Sequence, residues 1–368
     1  MTAKFITPIP RPAIAAPDLV RPDWTGGELR DPDMLWLDKN ENTDPELAKV
    51  VADVIAGLPE DAHNTYPESG PLYRKLANWL GLAPENLLLA SGSDGCIRSV
   101  FEAFMSPGDT VVHSAPTFAM YFVCSKIYGL NEVCVDYLPS KTGPALDAGR
   151  FIAAIADNNP KLVCLPNPDS PTGTVMPSDD LRAIIEAAGE AGAVMLVDEA
   201  YHPFLSDTVL PWVNDYLHLV VTRSTGKAWG MAGVRIGYAA ANPDLVRQLH
   251  KVRPMYETST LAVCVFDRML DQVAEMEASV RRLETGKEHF LNAMEGLSLR
   301  TLRGAGNFCH VEFGDDAGAV HGALADLVYY RQNFNDPGLA GFSRFSATTK
   351  ELFQPVIDRI RTVIVKET

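Results

Sequence analysis

Short apolar segments alternate with longer segments of helical spacing from residue 86 to residue 241. The short segments are rich in Val, Leu and Ile and end in polar loops, which is typical of buried strands. They predict seven strands, at residues 86–90, 110–115, 132–138, 161–166, 194–197, 217–222 and 235–241. Apolar residues at helical spacing predict helices at 45–58, 71–80, 96–105, 119–128, 146–156 and 178–191. The alternation predicts an α/β fold, with a mostly parallel seven-stranded sheet flanked by helices.

The C-terminal third has a different order. Long helices are predicted within 256–296, followed by strands and helices at 299–301, 307–313, 317–327, 328–331, 342–346 and 350–363. This order predicts a smaller α+β domain. We therefore expect an N-terminal arm at 1–34, a large domain at 35–250 and a small domain at 251–368. The proline-rich arm leads into a short strand at 35–38 and is a candidate to join the small domain.

Polar loops follow five of the predicted strands. They are Ser91-Gly92-Ser93-Asp94-Gly95, Pro116-Thr117-Phe118, the loop from Asn167 to Gly173, Asp198-Glu199-Ala200-Tyr201 and Ser224-Thr225-Gly226-Lys227. In sheets of this type, ligands bind at the carboxyl ends of the strands. The sequence therefore predicts one binding site in which these loops converge.

Composition narrows the class of protein. Apolar residues make up 46% and charged residues 21% of the chain, which is typical of soluble globular proteins. The net charge of −15 disfavours nucleic acids and anionic membranes as partners. No apolar run approaches the roughly 20 residues that span a bilayer, and no signal pattern opens the chain, so we expect a cytoplasmic protein. The six cysteines show no CxxC pair and no metal spacing, so we expect reduced core cysteines and no metal site.

Three residues at strand ends are candidates for chemistry. Lys227 follows an apolar strand and is surrounded by Ser, Thr and Gly, where a lysine can act as an amine nucleophile. An ordinary loop lysine remains the alternative. Asp198 ends a buried strand and could hold a proton on a ring nitrogen, with Tyr201 donating to the same ligand. An ion pair or a helix cap would explain the carboxylate equally well.

Other residues could bind anions. Ser93 and Asp94 lie at a strand-to-helix turn that suits a phosphate, although both types also favour ordinary helix caps. Arg235 could pair with a phosphate or form an interface salt bridge. Arg344 lies inside an apolar strand and needs a buried anionic partner, either a substrate or a structural Glu. Walker loops, GxGxxG, HExxH and GxSxG are all absent, so nothing supports dinucleotide binding, zinc hydrolysis or serine hydrolysis.

Taken together, these motifs resemble the fold-type I, pyridoxal-phosphate-dependent aminotransferases of class I/II, and more narrowly the histidinol-phosphate aminotransferase branch. The resemblance covers residues 35–350. It implies that Lys227 forms a Schiff base with pyridoxal 5'-phosphate and shuttles the substrate proton. It implies that Asp198 keeps the pyridine nitrogen protonated and that Tyr201 donates to the phenolic oxygen. The cofactor carries the carbanion chemistry, while the protein orients it.

The resemblance also implies which residues bind the cofactor phosphate and that the protein is a dimer. It implies that Ser93, Asp94, Ser224 and Arg235 hold the cofactor phosphate, the first two largely through backbone N–H groups. Tyr66, in Tyr66-Pro67, matches the tyrosine that the family lends across a dimer interface to the partner's phosphate. A homodimer is therefore expected.

The remaining roles concern the ring and the substrate. Phe118 would stack on the ring, and Asn167 lies in a matching motif. Arg344 would grip the carboxylate of the amino-acid donor, and the pair Arg331 and Arg344 would receive the phosphate of the alternate substrate. Asn42, in Asn40-Glu41-Asn42, is assigned to the substrate site as well.

Three residues and the N-terminal arm depart from the family pattern. Ser170 replaces the Asn that bonds the phenolic oxygen, so that contact would be lost or bridged by water. Gly226 replaces a phosphate-binding Ser, and Phe118 replaces a stacking Tyr. The arm has no tyrosine up to residue 35, where the family often places one to meet the substrate phosphate.

The sequence thus predicts a dimeric aminotransferase that acts on a phosphorylated or anionic amine and 2-oxoglutarate. Histidinol phosphate is the leading candidate for the amine. Alternatives are a relative that acts on an aromatic amino acid or another amino-phosphate, an amino-acid phosphate decarboxylase, and a catalytically silent, cofactor-binding homologue.

Overall fold

The computed structural model describes residues 8–22, 25–27 and 29–365. Parts of the N-terminal arm, at 1–7, 23–24 and 28, lie outside the described residues. The strands are β1 (Leu35–Trp36), β2 (Leu87–Ala90), β3 (Thr110–Ala115), β4 (Asn131–Asp136), β5 (Leu162–Pro166), β6 (Val194–Asp198), β7 (Leu219–Ser224), β8 (Gly237–Ala241), β9 (Arg300–Leu302), β10 (Phe308–Glu312), β11 (Val328–Tyr329) and β12 (Phe342–Ser346).

Helices connect most of these strands. They are α1 (Pro12–Ala15), α2 (Pro45–Ala56), α3 (Gly70–Leu80), α4 (Gly92–Phe104), α5 (Ala119–Tyr128), α6 (Ala148–Asn158), α7 (Ser178–Glu190), α8 (Pro243–Val252), α9 (Thr260–Met269), α10 (Val273–Gly296), α11 (Ala317–Leu324) and α12 (Lys350–Ile364). No helix within the described ranges is long and apolar enough to cross a bilayer.

Seven strands form the large sheet in the order β2-β8-β7-β6-β5-β3-β4. The pairs from β7 to β4 are all parallel, whereas β8 runs antiparallel to β7 and to β2. The predicted α/β fold with a mostly parallel seven-stranded sheet is confirmed. Because β8 is reversed, its first residues lie at the same edge as the carboxyl ends of the other strands. Residues just before β8 therefore reach the predicted binding edge.

Apolar side chains cover both faces of this sheet. One face packs Phe151, Ile184 and Phe266 into a core with Val163 and Val221. The other face packs residues of α4, α5 and α8 against the sheet in a second core. Alternate residues of a strand point to opposite faces of the sheet. When both faces are buried, successive residues are therefore all apolar. The sequence shows runs of this kind.

A smaller antiparallel sheet has the order β12-β10-β9, and β1 pairs with β11 in a separate parallel pair. Leu37, just after β1, packs in the core of this region with Phe345 and Phe353. Phe266 of α9, in contrast, belongs to the core of the large sheet. The domain boundaries at residues 34 and 250 stay a prediction, but side-chain packing groups Leu37 with the small sheet and Phe266 with the large one.

Two local expectations were wrong. The helix expected from residue 96 begins at Gly92, because Gly92 adopts a left-handed φ of 77° that turns the chain directly out of β2. Ser93 and Asp94 therefore lie in the first helical turn rather than in a loop. The cysteines also do not all lie in the core: Cys134 is exposed and Cys264 is half-buried, whereas Cys96, Cys124, Cys164 and Cys309 are buried.

Candidate active site

A cavity of about 430 Å³ opens at the carboxyl ends of the large sheet, where the predicted loops converge. Asp198 ends β6, Ser224 ends β7, and Lys227 follows three residues later. Arg235 reaches the cavity because β8 is reversed. Eleven of the fourteen predicted site residues line it: Ser93, Asp94, Phe118, Ser170, Asp198, Tyr201, Ser224, Lys227, Arg235, Arg331 and Arg344.

Lys227 points across the cavity toward the N-terminal segment. Its Nζ donates to the backbone carbonyl of Lys39 at 3.0 Å and lies 5.8 Å from the centre of the Tyr201 ring. Within the described chain, its amine pairs with no carboxylate. The amine is thus held by a single neutral acceptor, which a ligand in the cavity can replace.

Asp198 is a buried carboxylate whose partners are all neutral. Oδ1 accepts from the Thr222 hydroxyl at 2.9 Å and from the Ala200 N–H at 3.1 Å, and Oδ2 accepts from the Tyr121 hydroxyl at 3.4 Å. Burial raises the pKa of Asp198 to about 7, and the Asp94 charge adds to this, although the hydrogen bonds oppose it. A cationic group in the cavity would relieve the cost of holding this carboxylate as an anion.

Asn40 orients the phenol of Tyr201, and the sequence did not indicate it. The Asn40 amide donates to the Tyr201 hydroxyl at 2.9 Å. The backbone of Asn40 has a left-handed φ of 55°, and Ser346 and Asn307 hold it through hydrogen bonds of 2.8 Å and 3.0 Å. Because the phenol already accepts from Asn40, its own proton is available to donate to a ligand.

Three consecutive residues, 38–40, contact three cavity side chains. Besides the Asn40 contact, the Asp38 carbonyl accepts from Arg344 Nη2 at 3.1 Å, and the Lys39 carbonyl accepts from Lys227 Nζ at 3.0 Å. The segment follows β1, which pairs with β11 beside the small sheet. It therefore connects the small sheet to the side chains that face the cavity.

The candidate phosphate residues lie where α4 begins. Arg235 Nη2 lies 3.4 Å from an Asp94 oxygen, and its side chain remains half-exposed. Gly237 lets β8 approach this turn, because a Cβ there would lie 2.6 Å from the Ser93 nitrogen. The free N–H groups of a helix start and a nearby guanidinium favour a phosphate.

Arg344 is buried in the cavity wall, and no carboxylate of the described residues pairs with it. Nη1 donates to the Ser170 hydroxyl at 3.3 Å, and its Nε has no partner in the described structure. The guanidinium also faces the rings of Phe308 and Phe334 at 5.4 Å and 5.9 Å. Burial lowers the pKa of Arg344. A buried cation of this kind is stabilised when an anionic ligand enters the cavity.

The other predicted residues lie outside the cavity lining. Asn42 donates to the Ala228 carbonyl at 3.1 Å and to Ser279 at 3.0 Å, so its amide is used within the fold. Asn167 accepts from the Met176 N–H at 2.9 Å. Tyr66 is 71% exposed and stacks on Tyr256 with a ring separation of 4.1 Å.

A second buried carboxylate, Asp169, lies behind the cavity and was also missed. It accepts from the hydroxyls of Thr117 at 2.6 Å and Thr172 at 2.8 Å. Burial raises its pKa to about 6, against the effect of these hydrogen bonds. Asp169 therefore fixes the Thr117 wall of the cavity. The only sequence signal was its place in the strand-end loop between Asn167 and Gly173.

Comparisons with known proteins identify the family of the chain. The family model of aminotransferase class I and II matches residues 32–360. The chain is 31% identical over 333 residues to the histidinol-phosphate aminotransferase of Caldanaerobacter subterraneus, covering 89% of this chain and 92% of that protein. It is 33% identical over 308 residues to histidinol-phosphate aminotransferase 1 of Cupriavidus pinatubonensis, covering 80% and 78%.

Solved structures share the fold. The histidinol-phosphate aminotransferase of Sinorhizobium meliloti, in complex with pyridoxal-5'-phosphate, superposes with a TM-score of 0.78 at 22% identity and covers 90% of each chain.

Proposed function

The chain belongs to the class I and II aminotransferases, and from this premise we propose that it moves an amino group between 2-oxoglutarate and a phosphorylated or otherwise anionic amine. Among such amines we propose histidinol phosphate as the substrate, because relatives at 31% and 33% identity are named histidinol-phosphate aminotransferases. Pyridoxal phosphate is the cofactor.

The observation that carries the substrate class is the buried Arg344. Its guanidinium has a hydroxyl and a carbonyl as hydrogen-bond acceptors and no carboxylate among the described residues. Arg331 lines the same cavity and also has no carboxylate partner in the described chain. Two cations without anionic partners favour a substrate that carries a carboxylate or a phosphate, since either would bind the arginine fork bidentately.

The cavity residues fit pyridoxal phosphate. Asp198, whose burial favours a cationic neighbour, suits the protonated ring nitrogen. The start of α4, Ser224 and Arg235 suit the phosphate, and Phe118 provides an apolar wall for the ring. Tyr201 suits the phenolic oxygen. Asn40 donates to the Tyr201 hydroxyl, which leaves the phenol proton free to donate to that oxygen.

Pyridoxal phosphate supplies an electron-withdrawing ring that accepts the electron pair released at the substrate carbon. Lys227 Nζ would take the proton from that carbon and deliver it to the cofactor within the same half-reaction, and it would carry a proton in the opposite direction when the keto acid reacts. Asp198 remains an anion and keeps the proton on the ring nitrogen. Arg344 holds the substrate anion so that the reacting carbon faces Lys227.

A panel of amines and keto acids tests the proposal. We expect L-glutamate and histidinol phosphate to shift the absorbance of the cofactor-loaded protein in a single turnover, and 2-oxoglutarate to reverse the shift. L-phenylalanine should react far more slowly, because its side chain carries no anion. Release of carbon dioxide from an amino-acid phosphate would indicate a decarboxylase. A response only to L-phenylalanine would contradict the proposed substrate class.

The proposal includes a homodimer. Tyr66, Met255, Tyr256 and Leu261 form an exposed apolar group, at 71%, 77%, 50% and 46% of their surfaces. A tyrosine at this exposed place is consistent with a role in a partner's site. Light scattering should give twice the chain mass of 40.1 kDa. An active protein with the mass of a single chain would contradict this part of the proposal.

Asp198→Asn should stabilise the cofactor-free protein at high pH. Burial raises the pKa of Asp198 from 3.8 to about 7, so the folded state binds this proton more tightly than the unfolded state. The associated stability is fully present below pH 3.8 and is lost as the pH rises through 7. The variant should therefore match the parent near pH 4 and exceed its free energy of unfolding by roughly 4 kcal/mol at pH 8.

Denaturant unfolding of both proteins at the two pH values measures this difference. Asp157→Asn, at an exposed carboxylate of α6, is the control and should show no pH-dependent gain. Adding pyridoxal phosphate should reverse the order at pH 8, because the cofactor stabilises the carboxylate. A pH-independent difference would show that Asp198 titrates normally.

A further inference from the structure

A group of three possible metal ligands lies on the outer strands of the large sheet, apart from the active-site cavity. His113 of β3 is the register partner of Cys134 of the edge strand β4. Glu132 precedes Cys134 by two residues, so both side chains point to the same face. The ligand atoms of the three residues lie within 4.8 Å of one another. Their order in the sequence gives no metal motif, because the strand pairing brings them together.

The hydrogen bonds of His113 leave one ring nitrogen facing Glu132. Nδ1 lies 2.8 Å from the Ser114 carbonyl, which can only accept, so Nδ1 carries a proton. Nε2 lies 3.0 Å from Glu132 Oε1. In the neutral ring, Nε2 has a lone pair, and two acceptors at this distance repel each other. A cation bound by both atoms removes this repulsion.

The surroundings hold the ring in place for a ligand. The His113 side chain is fully buried, and the Phe122 ring packs edge-on against it at 4.7 Å. A carbonyl that accepts from one ring nitrogen, while the other faces outward, is the usual support of a metal-bound histidine. Glu132 and Cys134 are exposed, so an ion can enter from solvent.

We propose that His113, Glu132 and Cys134 form a binding site for a divalent transition-metal ion, with zinc as the preferred ion. Nitrogen, oxygen and sulfur ligands together suit zinc, whereas calcium and magnesium prefer oxygen alone. Tetrahedral zinc sites separate their ligand atoms by roughly 3–4 Å, which small side-chain movements from the present spacing allow. Water completes the fourth position on the exposed side.

The bound ion ties the edge strand to the sheet. It joins β3 to β4, and β3 leads into the loop that carries Thr117 and Phe118 to the cavity. An edge strand exposes unpaired backbone groups, and a metal link reduces its opening. The site therefore stabilises the fold and takes no part in amino transfer.

Zinc binding by the cofactor-loaded enzyme tests the site. After dialysis against micromolar zinc, we expect one equivalent per chain. Glu132→Gln and Cys134→Ser should each weaken zinc binding on the order of 10- to 100-fold, while both keep the cofactor absorbance and the activity. Titration with cobalt should give a thiolate–metal absorption band in the parent and not in Cys134→Ser. Zinc should raise the melting temperature of the parent and should not raise that of Glu132→Gln or Cys134→Ser at the same zinc concentration.

Two controls separate this site from general attraction to an acidic protein. Cys264→Ser removes a half-buried cysteine of α9, and Asp157→Asn removes an exposed carboxylate of α6. Both should bind zinc as the parent does. If the parent binds no zinc, or if Glu132→Gln and Cys134→Ser bind it equally well, the proposal is overturned and His113 and Glu132 form only an ion pair.

Discussion

Lys227→Ala should lower the rate of amino transfer by more than about 10⁴-fold, because it removes the amine that we propose both holds the cofactor and moves the substrate proton. Among residues 8–22, 25–27 and 29–365, the Lys227 Nζ is hydrogen-bonded only to the Lys39 carbonyl, so its loss leaves no charge there without a partner. The fold should therefore persist. Single-turnover absorbance with L-glutamate measures the loss directly.

Lys39→Ala is the matched control. Lys39 lines the same cavity but its side chain is exposed, and its contact with Lys227 comes from the backbone carbonyl. That variant should keep the absorbance of the covalently held cofactor, whereas Lys227→Ala should lose it. If Lys227→Ala keeps both this absorbance and the reaction with L-glutamate, Lys227 is not the reacting amine.

The sequence indicated the strand-end residues because a parallel sheet brings the ends of its strands to one edge. Asp198, Ser224 and Lys227 each follow an apolar strand, and the structure brings all three into the cavity. The rule for parallel strands does not place Arg235 in the cavity, because its position depends on the reversed direction of β8. The sequence offered Arg235 either a phosphate or an interface salt bridge, and the resemblance favoured the phosphate.

The structure separates two asparagines that the motif placed together. Asn42 was assigned to the substrate site, yet its amide bonds the Ala228 carbonyl and Ser279. Asn40 instead reaches Tyr201, because its left-handed backbone turns the side chain toward the cavity. A positive φ at a single asparagine is set by distant partners, here Ser346, and local sequence does not reveal it.

The interpretation of Ser170 changes in a similar way. From the sequence, its shorter side chain implied a lost contact with the cofactor. In the structure, the Ser170 hydroxyl accepts from Arg344, 174 residues away along the chain. Such a pair arises where the small sheet meets the large one, so spacing along the sequence cannot predict it.

Arg344→Ala should weaken the productive binding of L-glutamate by roughly 2–5 kcal/mol, or about 30- to 5,000-fold, because an anionic substrate then enters a buried pocket without its cation. Arg331→Ala should cost far less, since Arg331 is exposed and its charge is screened by water. The ratio of kcat to KM for L-glutamate compares the two variants under the same conditions.

A third variant, Arg344→Lys, separates charge from geometry. Lysine keeps the positive charge but loses the planar fork, so it should recover only part of the affinity for the substrate anion. We expect Arg344→Ala to fold, because Arg344 is a buried cation that pairs with no carboxylate in the described part of the chain, and its loss relieves the cost of burying that charge. Equal losses in Arg344→Ala and Arg331→Ala would mean that the anion is bound at the cavity mouth. An unchanged reaction in Arg344→Ala would show that another group holds the substrate.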